Sequence, residues 1–261
     1  MRNSSVFWTA VVSLGLAAGS LSLALAQQKP AGSSDPKALA LADQAMKALG
    51  GQTNWDNTRY LRFMFFGNRT HYWDKWTGRY RLEGKTREGQ PYVILMNLNT
   101  KEGQAYLDGK PVEGEALQEQ LKRGYGAWVN DTYWLLMPYK LKDPGVILAY
   151  DGQEKVGEIV YDKLHLHFEN VGLTPGDQYW AYINPKTHLM DKWIFLLQGT
   201  NEKGEHFRGE YRWNNWQQYG NIMLSPEREG IDGQKRMMDN IAVYDTLPDE
   251  VFTSPAPVKM P

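Results

Sequence analysis

The chain has 261 residues, a formal net charge of −1, and 10 Trp, 15 Tyr and 8 Phe among them. The balanced charge removes the electrostatic ground for a nucleic-acid or strongly anionic membrane partner. The lack of cysteine removes disulfides, a thiolate nucleophile and a lipid-bearing N-terminal Cys.

Residues 1–26 read as an export signal. Arg2 precedes a mostly apolar run, Val6 to Leu25, closing in Ala24-Leu25-Ala26, a small-x-small cleavage site. Ser13, Gly15, Gly19, Ser20 and Ser22 dilute the run as a membrane anchor. No later segment approaches membrane-spanning length. Residues 27–34 form a polar linker, and 35–261 form one domain, since no Gly/Pro/Ser-rich stretch divides them. An exported, cysteine-free protein that is neither lipidated nor membrane-anchored after cleavage fits a bacterial periplasm.

Asp35-Pro36 starts a helix, with Asp as N-cap and Pro in the first turn. Leu39, Ala42, Met46 and Leu49 follow at helical spacing, and Gly50-Gly51 ends it. From Thr58 the period becomes strand-like: Tyr60–Phe66, His71–Trp76, Arg79–Glu83, Tyr92–Leu98 and Gln104–Leu107, ending at the turn Asp108-Gly109-Lys110-Pro111. Between Glu113 and Pro138 the spacing predicts two short helices. The first carries Leu117 and Leu121 and loosens at Gly124 and Gly126; the second, Tyr133 to Met137, is capped by Asn130-Asp131-Thr132 and stopped by Pro138. Its apolar residues face nearly every side, so it is expected to be buried or to plug an opening.

Strands resume at Val146–Tyr150, Lys155–Tyr161 and Leu164–Glu169. A hairpin follows, Tyr179–Ile183 and Leu189–Leu197, broken by Asn184-Pro185-Lys186-Thr187-His188. Large apolar groups on both of its faces predict apolar surroundings on each side. His206–Trp213, Tyr219–Leu224 and Met237–Tyr244 complete ten or eleven antiparallel strands in one meander. A sheet of that many strands curls, and incomplete closure leaves a groove that helices can cover. The expected fold is mainly β with α: an incomplete, half-open antiparallel β-barrel covered by short helices.

Tyr72-Trp73-Asp74-Lys75 leading into Gly78-Arg79-Tyr80-Arg81, the turn Tyr106 to Lys110, and the ending Leu247 to Pro255 resemble, in that order, the superfamily of periplasmic lipoprotein carriers of the LolA and LolB type. Asp131 to Leu141 and Val171 to Asp177 are also similar to a branch of exported bacterial proteins with no assigned activity. The superfamily resemblance implies an incomplete barrel whose apolar interior takes acyl chains under a helical lid. The chain departs from the carriers at Trp76-Thr77, where they have Arg-Pro. That departure touches lipoprotein release and leaves the groove intact.

For catalysis the sequence offers little. His165-x-His167 puts two imidazoles on one strand face, half of a metal site, and a solvated strand face explains the pair equally. Asp74, Asp131, Asp177 and Asp191 lie near aromatics and could act as acids with raised pKa values, while capping and turn roles account for Asp131 and Asp177. Gly-x-Ser-x-Gly, His-Glu-x-x-His and phosphate loops do not occur. No catalytic residue, metal site or cofactor is therefore expected.

The aromatics remain: Trp73, Trp76, Tyr106, Trp134, Trp180, Tyr182, Trp193 and Trp213 are the candidate lining of a hydrophobic groove, about half of them serving as ordinary core. An acyl chain gains about 0.8 kcal/mol per buried CH₂, so roughly sixteen carbons can bind without a polar anchor. The expected function is a monomeric periplasmic carrier for lipid or lipoprotein acyl chains. A cell-envelope protein-interaction module without a small ligand and, third, a hydrolase using the groove stand beside it.

Overall fold

The computed structural model describes residues 33–169 and 172–258; the expected signal, and the linker up to residue 32, lie outside them. The N-terminal helix is α1, Pro36–Ala48, followed by a short α2, Gln52–Asn57. Asp35 caps α1 through a hydrogen bond from Lys37 N (2.8 Å). The buried face of α1 is Ala38, Leu41, Ala42 and Ala45. Leu39 and Met46, expected inside, are only half-buried. Small residues at three of the four buried positions let the helix backbone approach the sheet closely.

Among the described residues fifteen strands follow. The first arm comprises β1 Tyr60–Phe65, β2 Arg69–Asp74, β3 Arg79–Lys85, β4 Pro91–Asn97, β5 Gly103–Leu107 and the two-residue β6 Lys110–Pro111. The second comprises β7 Val146–Val156, β8 Ile159–Phe168, β9 Gln178–Ile183, β10 Met190–Thr200, β11 His206–Asn214, β14 Glu227–Gly230 and β15 Lys235–Tyr244. Together they make one thirteen-stranded antiparallel sheet in the order β6-β5-β4-β3-β2-β1-β15-β14-β11-β10-β9-β8-β7; β12 Gln217–Tyr219 and β13 Ile222–Leu224 form a separate hairpin. The arms join where β1 pairs with the last strand, Tyr60 opposite Tyr244. The sheet does not close. Its edges β6 and β7 are consecutive in the chain and are linked by α3, Gly114–Leu136, and a one-turn helix Met137–Lys140.

Three expectations change. The region from Glu113 to Pro138 is one 23-residue helix, α3, rather than two short ones. Gly124 continues the helix because it faces the sheet: a Cβ there would meet Ile94 Cγ2 at 3.1 Å. Lys155–Tyr161 is not a strand of its own but the tip of the long β7–β8 hairpin, turning at Gly157 with φ +64°. Tyr219–Leu224 is likewise a tight hairpin, turning at Gly220 with φ +59°.

The edge strand β7 is partly covered by the entry to α1: Asp35 N donates to Leu148 O (2.7 Å) and Leu148 N to Ser34 Oγ (3.0 Å). The first arm encloses one core, with Phe63, Leu82 and Ile94 beneath Leu121 and Leu135 of α3. The second arm and α1 enclose another, with Leu164, Leu166, Ala181 and Trp193. A third, smaller core lies on the outer face of the first arm, where Leu247 and α4, Glu250–Thr253, cover Tyr60 and Tyr72. The buried Arg81 guanidinium fastens the following tail by donating to Ser254 O (2.7 Å) and Ala256 O (2.9 Å).

Candidate functional site

The site is built where the C-terminal half of α3 lies over the inner face of the second arm. Alternation along the β9–β10 hairpin decides which rings point inward. Trp193 pairs with Ala181 and Phe195 with Tyr179, so these face α3, whereas Trp180 pairs with Ile194 and Tyr182 with Lys192 on the outer face. Between α3 and the inner rings lies a cavity of about 680 Å³. Eleven of its lining residues carry aromatic rings, against four Val or Leu. At its mouth Leu173 and Phe207 are 55% and 59% exposed.

Trp134, near the end of α3, is the centre of the ring system. It meets Phe66, Trp193, Phe195 and Tyr211 edge-on, with centroids 5.4, 5.0, 5.7 and 4.8 Å away and planes 73–80° apart. Its backbone is held from beneath by Arg228. That fully buried guanidinium donates from Nε (3.1 Å) and Nη2 to Trp134 O, and from Nη1 to Ser225 O, Ser225 Oγ and Glu227 O (3.0, 2.9 and 2.8 Å). It also sits 3.3 Å over the Trp213 ring. A cation at the carbonyl end of α3 is electrostatically favourable.

A second fastening holds the middle of α3. Asp131, expected as a helix cap, lies inside the helix and is fully buried. It accepts from Arg69 Nε and Nη2 (2.6 and 2.7 Å) and from Asn130 Nδ2 (2.8 Å). His71 Nε2 lies 2.8 Å from its Oδ2, and the Tyr80 hydroxyl is 2.7 Å from His71 Nδ1. Burial raises the Asp131 pKa, but the bonds from Arg69 and His71 outweigh it and hold the carboxylate below its usual range. Burial likewise keeps His71 neutral, its pKa lowered despite Asp131. Burial also drives the Tyr80 hydroxyl well above its usual value. All three are enclosed, so the network ties β2 and β3 to α3.

The cavity's polar end carries Asp177, Thr174, Lys140 and Asp143. Asp177 accepts from Gln198 N (2.8 Å), Thr174 Oγ1 (2.6 Å) and Tyr179 OH (3.4 Å), while Lys140 Nζ pairs with Asp143 at 2.8 Å. Asp177 thus has the turn role expected of it. Burial raises the pKa of the Tyr133 and Tyr179 hydroxyls, and the nearby Asp177 adds to both.

The eight aromatics singled out in the sequence divide. Trp134 and Trp193 line the cavity, and Trp213 packs behind Trp193 with centroids 5.4 Å apart. Trp73 is in the first-arm core, edge-on to Trp128 at 5.4 Å. The other four lie elsewhere. Trp76 is 58% exposed, its Nε1 bonded to Asp56 O (2.9 Å). Half-buried Tyr106 bonds Gln104 Oε1 (2.6 Å) on the strand next to the β6 edge. On the outer face Trp180 stacks on His165 at 4.8 Å, and Tyr182 bonds Glu154 Oε2 (2.9 Å) beneath Lys192. The hairpin's apolar outer face is thus surrounded by side chains of neighbouring strands. Among lining residues not named as candidates from the sequence, Phe65 ends β1 and Phe66 follows it in the turn, and Tyr133, Phe195 and Phe207 add to the aromatic wall. Gly209 was also missed. A Cβ there would lie 2.1 Å from Phe195 Cζ, so the glycine makes room for that ring.

The candidate acids are accounted for. Burial raises the Asp74 pKa, but hydrogen bonds from Arg59, Thr77 and Arg79 hold it low. With Asp131 also held low, the expected raised pKa is absent from both. Asp191 alone of those with a resolved shift is raised, by burial that bonds from Asn184 and Tyr161 only partly offset, and it lies outside the cavity. His165 and His167 sit on the outer face with rings 5.6 Å apart, and no group of three His, Asp or Glu among the described residues is placed to hold a metal.

An open antiparallel sheet curled around a helix, with an apolar cavity between them, defines the class of fold. The sequence pattern of the family of unknown function DUF6503 matches residues 87–247, and the chain belongs to that family. No curated protein sequence matches it. Solved structures similar to it include a DUF1329 family protein from Desulfovibrio piger, with 12% identity, a TM-score of 0.43, and coverage of 84% of this chain and 98% of that one. A putative outer membrane lipoprotein-sorting protein domain from Vibrio parahaemolyticus has 10% identity and a TM-score of 0.42, covering 83% and 96%. The LolA superfamily protein NE2245 from Nitrosomonas europaea has 12% identity and a TM-score of 0.35, covering 83% and 97%.

Proposed function

We propose that this protein binds a membrane-derived amphiphile, a lipid or the acyl chain of a lipidated protein, in the cavity beneath α3 and carries it through the bacterial periplasm. The observation that supports this most directly is the cavity itself: about 680 Å³, with aromatic walls, opening past exposed Leu173 and Phe207. At about 0.8 kcal/mol per CH₂, a sixteen-carbon chain would gain roughly 12 kcal/mol, enough to exceed the cost of immobilisation. The exposed lips would give a membrane or a donor protein an apolar edge on which to hand over the ligand.

The same lips also favour a second reading, a protein-interaction module in which the mouth receives an apolar side chain of an envelope partner. Native mass spectrometry of protein purified without detergent, followed by solvent extraction and lipid analysis, separates the two. A carrier retains a stoichiometric amphiphile or takes up added palmitate or phospholipid. A clean apo mass with no uptake refutes the carrier reading and makes copurifying protein the next search.

A further inference from the structure

We infer that the cavity beneath α3 holds one alkyl chain and no more, so that the ligand is a single-chain amphiphile, a fatty acid or a lysophospholipid, rather than a diacyl phospholipid or a multiply acylated protein. The inference rests on the carrier reading of the same cavity and narrows its substrate class.

Volume carries the first step. A methylene takes about the liquid volume of a water molecule, about 30 Å³, so the cavity of about 680 Å³ is filled by roughly twenty-two of them. On the same scale a sixteen-carbon chain needs about 480 Å³ and two such chains about 960 Å³. The first fits with room for part of a head, and the second does not.

A cavity accommodates more only if its walls retreat, and here the walls are backed. The Phe195 ring lies against the β11 backbone at Gly209, where even a Cβ would collide with it. Trp193 is backed by Trp213 with centroids 5.4 Å apart, and the Arg228 guanidinium lies 3.3 Å from the Trp213 ring centre. Interiors packed in this way transmit a displacement rather than absorb it.

The cover is held as firmly as the floor. Arg228 fastens α3 at Trp134 O, and Arg69 and His71 fasten it at Asp131. Lifting the helix to admit a second chain would leave buried charges without their partners. A second chain on the same head therefore stays outside, where its methylenes remain in water and gain nothing from the complex.

Two measurements on detergent-free wild-type protein test the inference. In the first, native mass spectrometry counts ligands at saturation with palmitoyl-lysophosphatidylcholine, with palmitate and with vesicles of dipalmitoyl phosphatidylcholine. One lysolipid or one palmitate per protein is expected, and which of them is held names the source of the chain; no diacyl complex should survive gel filtration. In the second, lysophosphatidylcholines of about ten to twenty-four carbons, kept below their micelle concentrations, displace a fluorescent lysophosphatidylcholine. Affinity should rise roughly fourfold per methylene and level by about twenty-two carbons. Two single-chain ligands per protein, a stable diacyl complex, or affinity still climbing at the longest chain overturns the one-chain inference and leaves the carrier reading standing. Binding of no amphiphile overturns both.

Discussion

Asp131→Ala removes the carboxylate that joins α3 to the first arm, and the loss can be sized from its partners. The carboxylate is fully buried and accepts two bonds from Arg69 at 2.6 and 2.7 Å. Breaking a buried pair from one side costs about 3–5 kcal/mol. Arg69 retains 27% side-chain exposure and can turn toward water, which places the effect at the lower end, about 3 kcal/mol. His71 has no such escape and loses its neighbour on Nε2, which adds about 1 kcal/mol. With a urea m-value of about 2–3 kcal/mol/M for a domain of this size, the unfolding midpoint should fall by about 1–2 M. Tryptophan fluorescence during urea titration measures it, with Asp131→Asn as a shape-preserving control expected to fall between. A loss below about 1 kcal/mol would refute the view that this network holds the helix in place. The same carboxylate has a folded pKa below its ordinary 3.8. Its stabilisation is therefore complete above the unfolded value and is lost as pH falls through the folded one.

His71 acts at higher pH. Its folded pKa is lowered by burial while the unfolded chain takes up a proton near 6.5, so stability should decline as pH drops below about 6.5. In His71→Gln that limb should flatten, as followed by thermal melts between pH 7.5 and 5. Gly209→Ala forces a Cβ to within 2.1 Å of Phe195. Overpacking of this kind costs about 1–3 kcal/mol, and displacement of Phe195 should reduce ligand uptake in native mass spectrometry; wild-type stability and uptake would show that the ring has room to spare. Trp134→Ala should destabilise by about 3–5 kcal/mol and abolish uptake. Trp76→Ala, at a 58% exposed site, should change stability by less than about 1 kcal/mol and leave uptake intact; a loss of uptake there would move the site.

The strands were legible wherever alternating burial left its mark. Tyr60–Phe66, His71–Trp76, Tyr92–Leu98 and the Tyr179–Leu197 hairpin can be read within three residues of their bounds because large apolar residues sit between clear turn signals. Lys155–Tyr161 misled because Gly157-Glu158 is a two-residue turn that interrupts no apolar run. Helix α3 was split by the same local logic. Gly124, Gly126 and the Asn130-Asp131-Thr132 run all favour a break, and what overrides them is tertiary. Gly124 packs against Ile94, and Asp131 finds Arg69 across 62 residues of sequence rather than a backbone N–H beside it.

For the site, residue type was legible and direction was not. An excess of Trp, Tyr and Phe with little catalytic machinery pointed to an apolar groove before any fold was known. Which rings line it depends on strand register, and a shift of one residue exchanges the faces. Register set Trp193 against Ala181, turning Trp193 and Phe195 toward α3 and Trp180 and Tyr182 away. It also depends on the pairing of β1 with β15, which brings the two arms together from opposite ends of the domain. Composition and periodicity, being local, determined that this chain is an antiparallel sheet with an aromatic interior. Where the cavity lies, and which side chains hold its helical cover, was decided by contacts between residues far apart in sequence, for which a local pattern carries no signal.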